Sequence, residues 1–277
     1  MKTTKKVSDI VTDFIVKLKV KHVFLISGGG NIHLVDSIGK SKKIKYICNH
    51  HEQASATCAE AYSRVSQNIG VCVVTTGPGG TNTITGLLGS WLDSIPTLFI
   101  SGQVRRDLTA KGTGLRQLGD QEINIVDIVK PITKYAITVN NENEIIYHLQ
   151  KAVYLSKSGR PGPVWLDIPL DVQGAFVNQS KLKIFSEKEL KMPPNNKVEL
   201  KKIVAKTITH LQKAKRPVIY AGNGIRLAGA SKDLLNLIAL LKIPVLLSYA
   251  GYDQVPNSNK FFLGNICSLS MVTSQYR

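Results

Sequence analysis

The sequence predicts an α/β fold, in which a parallel sheet carries helices on both faces and a second, incomplete α/β domain follows. Two patterns predict it. Short and almost wholly apolar runs alternate along the chain with amphipathic or alanine-rich segments, as in parallel sheets that are buried on both faces. Glycine-rich turns follow several of these runs, at the strand ends where α/β proteins bind ligands.

The first elements alternate regularly. Residues 4–20 carry apolar side chains three and four positions apart, which predicts a helix with one buried face. The apolar run HVFLIS at 22–27 predicts a strand, the glycine triplet at 28–30 a turn, and NIHLVDSIG at 31–39 a second helix. IKYIC at 44–48 predicts the next strand. This succession is the one that a parallel sheet requires.

The middle of the chain continues the alternation. An alanine-rich helix is predicted over 52–66, and IGVCVVTT at 69–76 is the clearest strand, because it is apolar and β-branched on both faces. GPGGTN at 77–82 ends this strand and opens another helix, and PTLFISG at 96–102 predicts a further strand. The polar segment 103–122 is a long loop, and loops of that length in compact domains are usually functional or mobile.

The rest of the chain divides at a polar segment. GRPGPVWLDIPLDV at 159–172 contains a buried strand bounded by turn residues. Residues 176–197 lose periodicity and gain charge and proline, which predicts a linker. We therefore predict a first domain at 1–175 and a partial second domain at 198–277.

The composition is that of a globular protein. Of the 277 residues, 43% are hydrophobic and 20% are charged, which is typical of a chain with a real core. No apolar run reaches the length of a membrane span, and the four cysteines show no C-x-x-C spacing. Free thiols are typical of a reducing compartment, so we expect a cytoplasmic protein with no membrane partner.

The formal net charge of +17 is compatible with nucleic acid as a partner. The excess consists of 28 lysines against 8 arginines and is scattered along the chain. Proteins that read bases or phosphates more often cluster arginine with aromatic residues, and aromatic residues make up only 6% here. We therefore expect no nucleic-acid partner, and a basic binder stays open as a weaker hypothesis.

Glu52 stands at the head of the alanine-rich helix, directly behind His50 and His51. An acid in a first helical turn is usually a solvated charge that the helix dipole favours, but it can also be a carboxyl with a chemical task. Adjacent histidines point to different sides, and the sequence places no third ligand, so we expect no metal site here.

Five segments, in the same order and at similar spacing, resemble the amino-terminal, pyrimidine-binding domain of thiamine diphosphate-dependent enzymes of the acetolactate synthase group. They are VFLISGGGNI, HHEQASATCAEAYSR, GVCVVTTGPGGTNTITGLLGSWLDSIPTLFISGQV, QEINIVDIVKPITKY and GRPGPVWLDIPLDV. The resemblance covers residues 5–175, and the part from 198 is similar to the start of that family's central domain. It implies a thiamine diphosphate-binding fold and a 2-oxo acid substrate such as pyruvate.

The resemblance also implies roles for particular residues. The glutamate that matches Glu52 hydrogen-bonds N1′ of the cofactor's aminopyrimidine ring, where the chemistry needs a carboxyl. Pro78, Gly79 and Asn82 match the loop beside that ring. Gly29 matches a glycine near the reacting centre.

Two further matches are less specific. Gln121 matches a glutamine that faces the substrate in acetolactate synthases, and the alternative is a loop amide in water. Arg160 matches an arginine that contacts flavin in the family, so FAD is a possible second cofactor, but the RPGP segment also makes a good turn by itself. The family's Gly-Tyr-Pro-Gly run is replaced here by Leu25, Ile26, Ser27 and Gly28. The segment between SGQV and QE is longer than in typical acetolactate synthases, so the acceptor substrate stays open.

In this family a carboxyl-terminal domain holds Mg²⁺ and the diphosphate through a Gly-Asp-Gly run followed by an asparagine, and the active site forms between two chains. No Gly-Asp-Gly run occurs in these 277 residues. The resemblance therefore implies a carboligase or decarboxylase part that is inactive alone. It would work as a homodimer or with a chain that carries the diphosphate-binding domain. The alternative is a non-catalytic remnant or interaction subunit that associates with a full-length relative.

Overall fold

The computed structural model describes residues 4–190 and 197–266. The chain divides into two compact units, Met1–Leu190 and Lys191–Arg277, and this division falls inside the segment that the sequence predicts as a linker. Both units are α/β structures, and the predicted fold class is confirmed.

The first unit is built on a six-stranded parallel sheet in the order β3-β2-β4-β5-β7-β6. The six strands of this sheet are β2 (His22–Leu25), β3 (Lys45–Cys48), β4 (Gly70–Val74), β5 (Thr97–Gln103), β6 (Tyr135–Thr138) and β7 (Val164–Pro169). The unit also contains β1 (Thr4–Lys6) and β8 (Phe176–Asn178), which form a separate two-stranded sheet. From β2 the chain runs to β3 on one side, and β4 then pairs with β2 on the other side. The strand order thus reverses between β2 and β4, and in open α/β sheets ligands bind at the carboxyl ends of such a pair.

Helices cover both faces of this sheet. They are α1 (Val7–Lys17), α2 (Ile32–Lys40), α3 (Glu52–Ser66), α4 (Pro78–Thr81), α5 (Ile84–Leu92), α6 (Ile125–Val129), α7 (Ile145–Lys157) and α8 (Leu170–Gly174). Successive strand residues point to opposite faces. Val71 and Val73 of β4 therefore pack in one core with α1, α2, α7 and α8, whereas Cys72 and Val74 pack in a second core with α3, α5 and α6.

The helix predicted at 4–20 is shorter in the structure, and this is a correction. Thr4–Lys6 is strand β1, which pairs antiparallel with β8 in a separate two-stranded sheet, and α1 begins only at Val7. At the other end, Lys19 has a positive φ of 59°, a conformation that cannot continue a right-handed helix. The pairing with β8 decides the conformation of residues that the apolar pattern alone assigns to the helix.

The second unit contains a three-stranded parallel sheet in the order β11-β10-β9. Its elements are α9 (Lys197–Lys213), β9 (Ile219–Ala221), α10 (Gly224–Leu227), α11 (Ser231–Leu241), β10 (Val245–Ser248) and β11 (Phe262–Ile266). Leu234 and Ile238 of α11 pack on Val245 and Leu247 of β10 to form its core.

Three of the four cysteines lie in the described ranges, and all three are free thiols. Cys48 is exposed, Cys58 is half-buried and Cys72 is buried, while Cys267 lies outside the described residues. Among the helices in the described ranges, none combines the length and the apolar character that crossing a membrane requires.

Candidate functional site

Most of the predicted site residues gather at the carboxyl edge of the six-stranded sheet, at the reversal between β2 and β4. Gly29 follows β2, Glu52 follows β3, and the loop 77–82 follows β4. Because the strands are parallel, these connections lie at the same edge of the sheet. The topology therefore brings together residues that are far apart in the sequence.

Glu52 is the first residue of α3 and is half-buried. Before it, Nδ1 of His51 accepts a hydrogen bond from the backbone N–H of Gln53 at 3.1 Å and so caps the helix. The side-chain amide of Asn82 donates to Oε2 of Glu52 at 2.9 Å. Within the described ranges, Oε1 of Glu52 has no hydrogen-bond partner, so one carboxylate oxygen is held in place and the other is available.

The loop 77–82 approaches Glu52 closely because it is rich in glycine. Pro78 opens the short helix α4, and Asn82 ends it by donating its backbone N–H to the carbonyl of Pro78 at 2.9 Å. A Cβ on Gly79 would stand 2.6 Å from Cγ2 of Thr75 and 3.8 Å from Oε1 of Glu52. Gly79 is therefore a position where a side chain would fill the space in front of the free carboxylate oxygen.

The glycine triplet follows β2 and is held by side chains of its neighbours. Asn31 accepts from the N–H of Gly28 at 2.8 Å, and Oγ1 of Thr75 accepts from the N–H of Gly30 at 3.0 Å. A Cβ on Gly28 would overlap Thr75, whereas a Cβ on Gly29 would meet no atom within 4 Å. Gly29 thus faces open space, whereas the Thr75 side chain lies against Gly28 and Gly30 on one side and against Gly79 on the other.

Gln121 lies against the same loop through its backbone. A Cβ on Gly77 would overlap the carbonyl oxygen of Gln121, and the side chain of Gln121 is exposed. The structure therefore brings Gln121 to the loop that carries Pro78 and Gly79.

Arg160 is separate from this group. It precedes β7 and so lies at the amino edge of the sheet. Its Nε donates to Oγ of Ser94 at 2.6 Å, and its NH2 group donates to the carbonyl of Leu92 at 3.4 Å. These two contacts tie Arg160 to the end of α5.

The structure adds polar residues that the sequence reasoning did not single out. Thr75 sits between the two glycine loops, as described above. Next to it, Oγ1 of Thr76 donates to Oε1 of Gln103 at 2.7 Å, and Nε2 of Gln103 donates to Asp167 at 3.2 Å. Asp167 is 1% exposed in the middle of an apolar strand. The sequence does carry a signal for this network, namely an aspartate inside an apolar strand, because a charged residue is rarely fully buried without a partner.

Burial controls the protonation of two of these neighbours. Desolvation raises the pKa of Asp167 to about 7, although hydrogen bonds from Ser101, Gln103 and Thr138 partly oppose the shift. Burial also raises the pKa of the Cys72 thiol, and the negative charge of Glu52 adds to the effect. The thiol is therefore an uncharged member of the core under α3.

No cluster of three or more His, Cys, Asp or Glu side chains in the described ranges is arranged to hold a metal ion. His51 caps α3 instead, and the neighbouring His50 is exposed.

Two family models match the sequence. The thiamine pyrophosphate enzyme, N-terminal TPP binding domain matches residues 5–128, and the thiamine pyrophosphate enzyme, central domain matches residues 204–276. Each of these matches falls within one of the two compact units.

Several relatives are similar over most of this chain. An acetolactate synthase of Arthrospira platensis is 34% identical over 260 residues, which are 93% of this chain and 44% of the relative. The acetolactate synthase large subunit of Corynebacterium glutamicum is 34% identical over 254 residues, 90% of this chain and 38% of the relative. The chloroplastic acetolactate synthase 1 of Nicotiana tabacum is 31% identical over 280 residues, 98% of this chain and 39% of the relative. The chain spans less than half the length of these relatives.

Proposed function

The chain belongs to the thiamine pyrophosphate enzyme family, and on that premise we propose that it supplies the aminopyrimidine-binding part of an acetolactate synthase-like active site. The substrate is a 2-oxo acid such as pyruvate. The observation that carries the proposal is the Glu52 carboxylate, which Asn82 holds through one oxygen while the other oxygen stays free in front of Gly79.

The residues present fit the pyrimidine end of the cofactor. A free carboxylate oxygen can hold a proton shared with a ring nitrogen, and a half-buried position strengthens that hydrogen bond relative to water. Gly79 carries no side chain that would stand in front of Oε1 of Glu52, and Gly29 faces open space. When it is bound, thiamine diphosphate supplies the electron sink for breaking and making carbon–carbon bonds next to a carbonyl.

The residues of this chain have different roles at the bound cofactor. Glu52 holds the proton at the ring nitrogen N1′, and Asn82 fixes the carboxylate that does so. Pro78 and Gly79 form the surface beside the ring, and Gln121 faces the substrate.

A diphosphate-binding domain in a partner chain or in further sequence holds the diphosphate and Mg²⁺, so the unit described here needs that domain for turnover and works as a homodimer or in a mixed assembly. The proposal includes FAD as a second cofactor, with Arg160 at its site. The free thiols Cys48, Cys58 and Cys72 support a cytoplasmic location.

Thiamine binding tests the role of Glu52 directly. Calorimetric titration of the chain with thiamine should show binding that Glu52→Gln weakens roughly tenfold, because a hydrogen bond to a charged group is lost. Glu187→Gln is the matched control, since this glutamate is exposed and distant in sequence from the cluster. Equal binding by the wild type and Glu52→Gln would remove the basis of the proposal.

Turnover distinguishes an enzyme part from a non-catalytic subunit. We expect the chain to consume pyruvate only when thiamine diphosphate, Mg²⁺ and a protein carrying the diphosphate-binding domain are added. Glu52→Gln should abolish the activity that the chain adds to this mixture. A chain that binds thiamine and associates with that protein, yet adds no activity, would instead be a non-catalytic subunit.

A further inference from the structure

A cavity lies in the first unit, next to the site described above. It has a volume of about 300 Å³, opens to the surface, and is lined by residues of β5, β6 and β7 and of the segment that follows β5. Within the described ranges, neither Glu52 nor Asn82 contributes to its lining. A cavity of this size matches a small metabolite.

The floor of the cavity is a fixed polar surface. It contains Gln103, Thr138 and Asp167, of which Gln103 is 4% and Asp167 is 1% exposed. Gln103 and Thr138 each donate to Oδ2 of Asp167 at 3.2 Å, and Ser101 donates to Oδ1 at 2.6 Å. Gln103 is fully used within the protein, because its Oε1 accepts from Thr76 and from the N–H of Val104 while its Nε2 donates to the carbonyl of Ile123 and to Asp167. Thr138 donates its hydroxyl proton to Asp167, so its oxygen is oriented and can still accept a hydrogen bond from a ligand hydroxyl group.

The mouth of the cavity carries positive charge. Lys111 and Arg116 line it and are exposed, and neither forms an ion pair with any residue in the described ranges. Glu122 also lines it, but its carboxylate is turned into the loop, where it accepts from the backbone N–H groups of Ala110 and Leu118 at 2.6 and 3.0 Å. Two cations without partners at the entrance of a polar cavity favour a negatively charged ligand.

We propose that this cavity binds a small hydroxylated organic anion. Lys111 and Arg116 bind the anionic group, and Thr138, held by Asp167 on the floor, accepts a hydrogen bond from a hydroxyl group. The anionic group is a carboxylate or a phosphate, and both fit the two cations.

The floor is also joined to the loop beside Glu52. Oε1 of Gln103 accepts from Thr76 at 2.7 Å, while Nε2 of the same side chain donates to Asp167 at 3.2 Å. Thr76 directly precedes Gly77 in that loop. A ligand that changes the position of Asp167 or Gln103 therefore acts on the residue that directly precedes the neighbouring loop.

Backbone amide shifts of the isotope-labelled full chain test the proposal. The probes are D-glucuronate and glycerol 3-phosphate as hydroxylated anions, D-glucose as a neutral polyol, and acetate as an anion without a hydroxyl group. We expect saturable shifts at lining residues with at least one of the two hydroxylated anions, and the stronger one identifies the anionic group. Glucose and acetate should each bind at least roughly tenfold more weakly than the effective anion, because glucose lacks the charged group and acetate lacks the hydroxyl group.

Two variants of the same segment give the decisive comparison. Arg116→Gln should weaken binding of the effective probe roughly tenfold through the loss of a charged contact. Arg105→Gln should leave it unchanged, because Arg105 pairs with Asp107 and does not line the cavity. No saturable shift with either hydroxylated anion, or equal binding by Arg116→Gln and the wild type, would overturn the proposal. Glu52→Gln should not alter this binding, so the result is independent of the cofactor role.

Discussion

Gln121 and Gly77 are in backbone contact, and both have positive φ angles, of 57° and 58°. A Cβ on Gly77 would overlap the carbonyl oxygen of Gln121. The loop after β4 and the segment after β5 can therefore approach each other only because residue 77 is glycine. This contact places Gln121 at the same sheet edge as Glu52.

Gly77→Ala should lower the free energy of unfolding of the first unit by about 2–4 kcal/mol, because the strained φ and the overlap with Gln121 both add a cost. Urea unfolding followed by tryptophan fluorescence measures it, since both tryptophans, Trp91 and Trp165, lie in this unit. Gly159→Ala is the control: its φ is 57°, but no atom lies within 4 Å of the added Cβ. It should lose only about 1 kcal/mol. Equal losses would mean that the contact with Gln121 does not require the glycine.

Gly79→Ala should be destabilising because its added Cβ would collide with the Cγ2 methyl group of Thr75. The added Cβ would lie 2.6 Å from Cγ2 of Thr75, and overpacking of this kind costs about 1–3 kcal/mol. Thr75→Ser removes Cγ2 and keeps a hydroxyl for the N–H of Gly30. In the double variant we therefore expect roughly 1 kcal/mol of the loss to be recovered, which a double-mutant cycle of unfolding free energies measures. Strictly additive losses would contradict the contact.

Glu122 holds the segment after β5 in its folded shape. Its carboxylate accepts from the backbone N–H groups of Ala110, Leu118 and Gly119, at distances of 2.6 to 3.4 Å. Glu122→Ala leaves these donors without their acceptor, so we expect trypsin to cleave after Lys111 or Arg116 roughly tenfold faster, in proportion to the population of the open loop.

Asp120→Ala is the matched control for this experiment. Asp120 is an exposed acid in the same segment, and its removal changes the net charge equally. Its cleavage rate should stay at the wild-type value. If both variants are cleaved at the same rate, the loop does not depend on the Glu122 carboxylate.

The sequence predicts the parts of the structure that depend on local pattern. The strand at 69–76 and the helix at 52–66 are found as β4 and α3, because apolar runs and helical spacing are local signals. The pairing of β1 with β8 is not predicted, since it joins segments far apart in the chain and overrides the local helical pattern. The hydrogen-bond network of Gln103 and Asp167 is missed for a similar reason, because its members come from different strands.

The candidate site shows the same division. Motif resemblance identifies Glu52, Gly79 and Asn82, which the structure brings together. Thr75 lies within the quoted motif, yet only the folded backbone shows that its side chain contacts both glycine loops. The sequence does not predict that Lys111 and Arg116 line one cavity, because their positions depend on how the loop folds around Glu122.

Asp167 should give the first unit a stability that decreases as the pH rises from about 4 to about 7. Burial raises the pKa of the folded-state carboxyl to about 7 from an ordinary value of 3.8. Between these two values the folded state binds more protons than the unfolded state, so by linkage the free energy of unfolding falls with increasing pH. The slope cannot exceed about 1.4 kcal/mol per pH unit for one group. Above the folded-state pKa the contribution becomes constant.

Urea unfolding of the wild type and Asp167→Asn across this pH range measures the effect, because the asparagine does not titrate. The free energy of unfolding of the wild type should fall relative to that of Asp167→Asn as the pH rises from 4 to 7. Asp171→Asn provides a contrast of opposite sign. Burial opposes ionisation of Asp171, but the hydrogen bonds from Arg106 outweigh it and lower its pKa. The contribution of Asp171 is therefore present above its unfolded pKa and is lost as the pH falls through its folded-state pKa. A difference between wild type and Asp167→Asn that is constant from pH 4 to 7 would show that Asp167 is already ionised in the folded protein throughout this range.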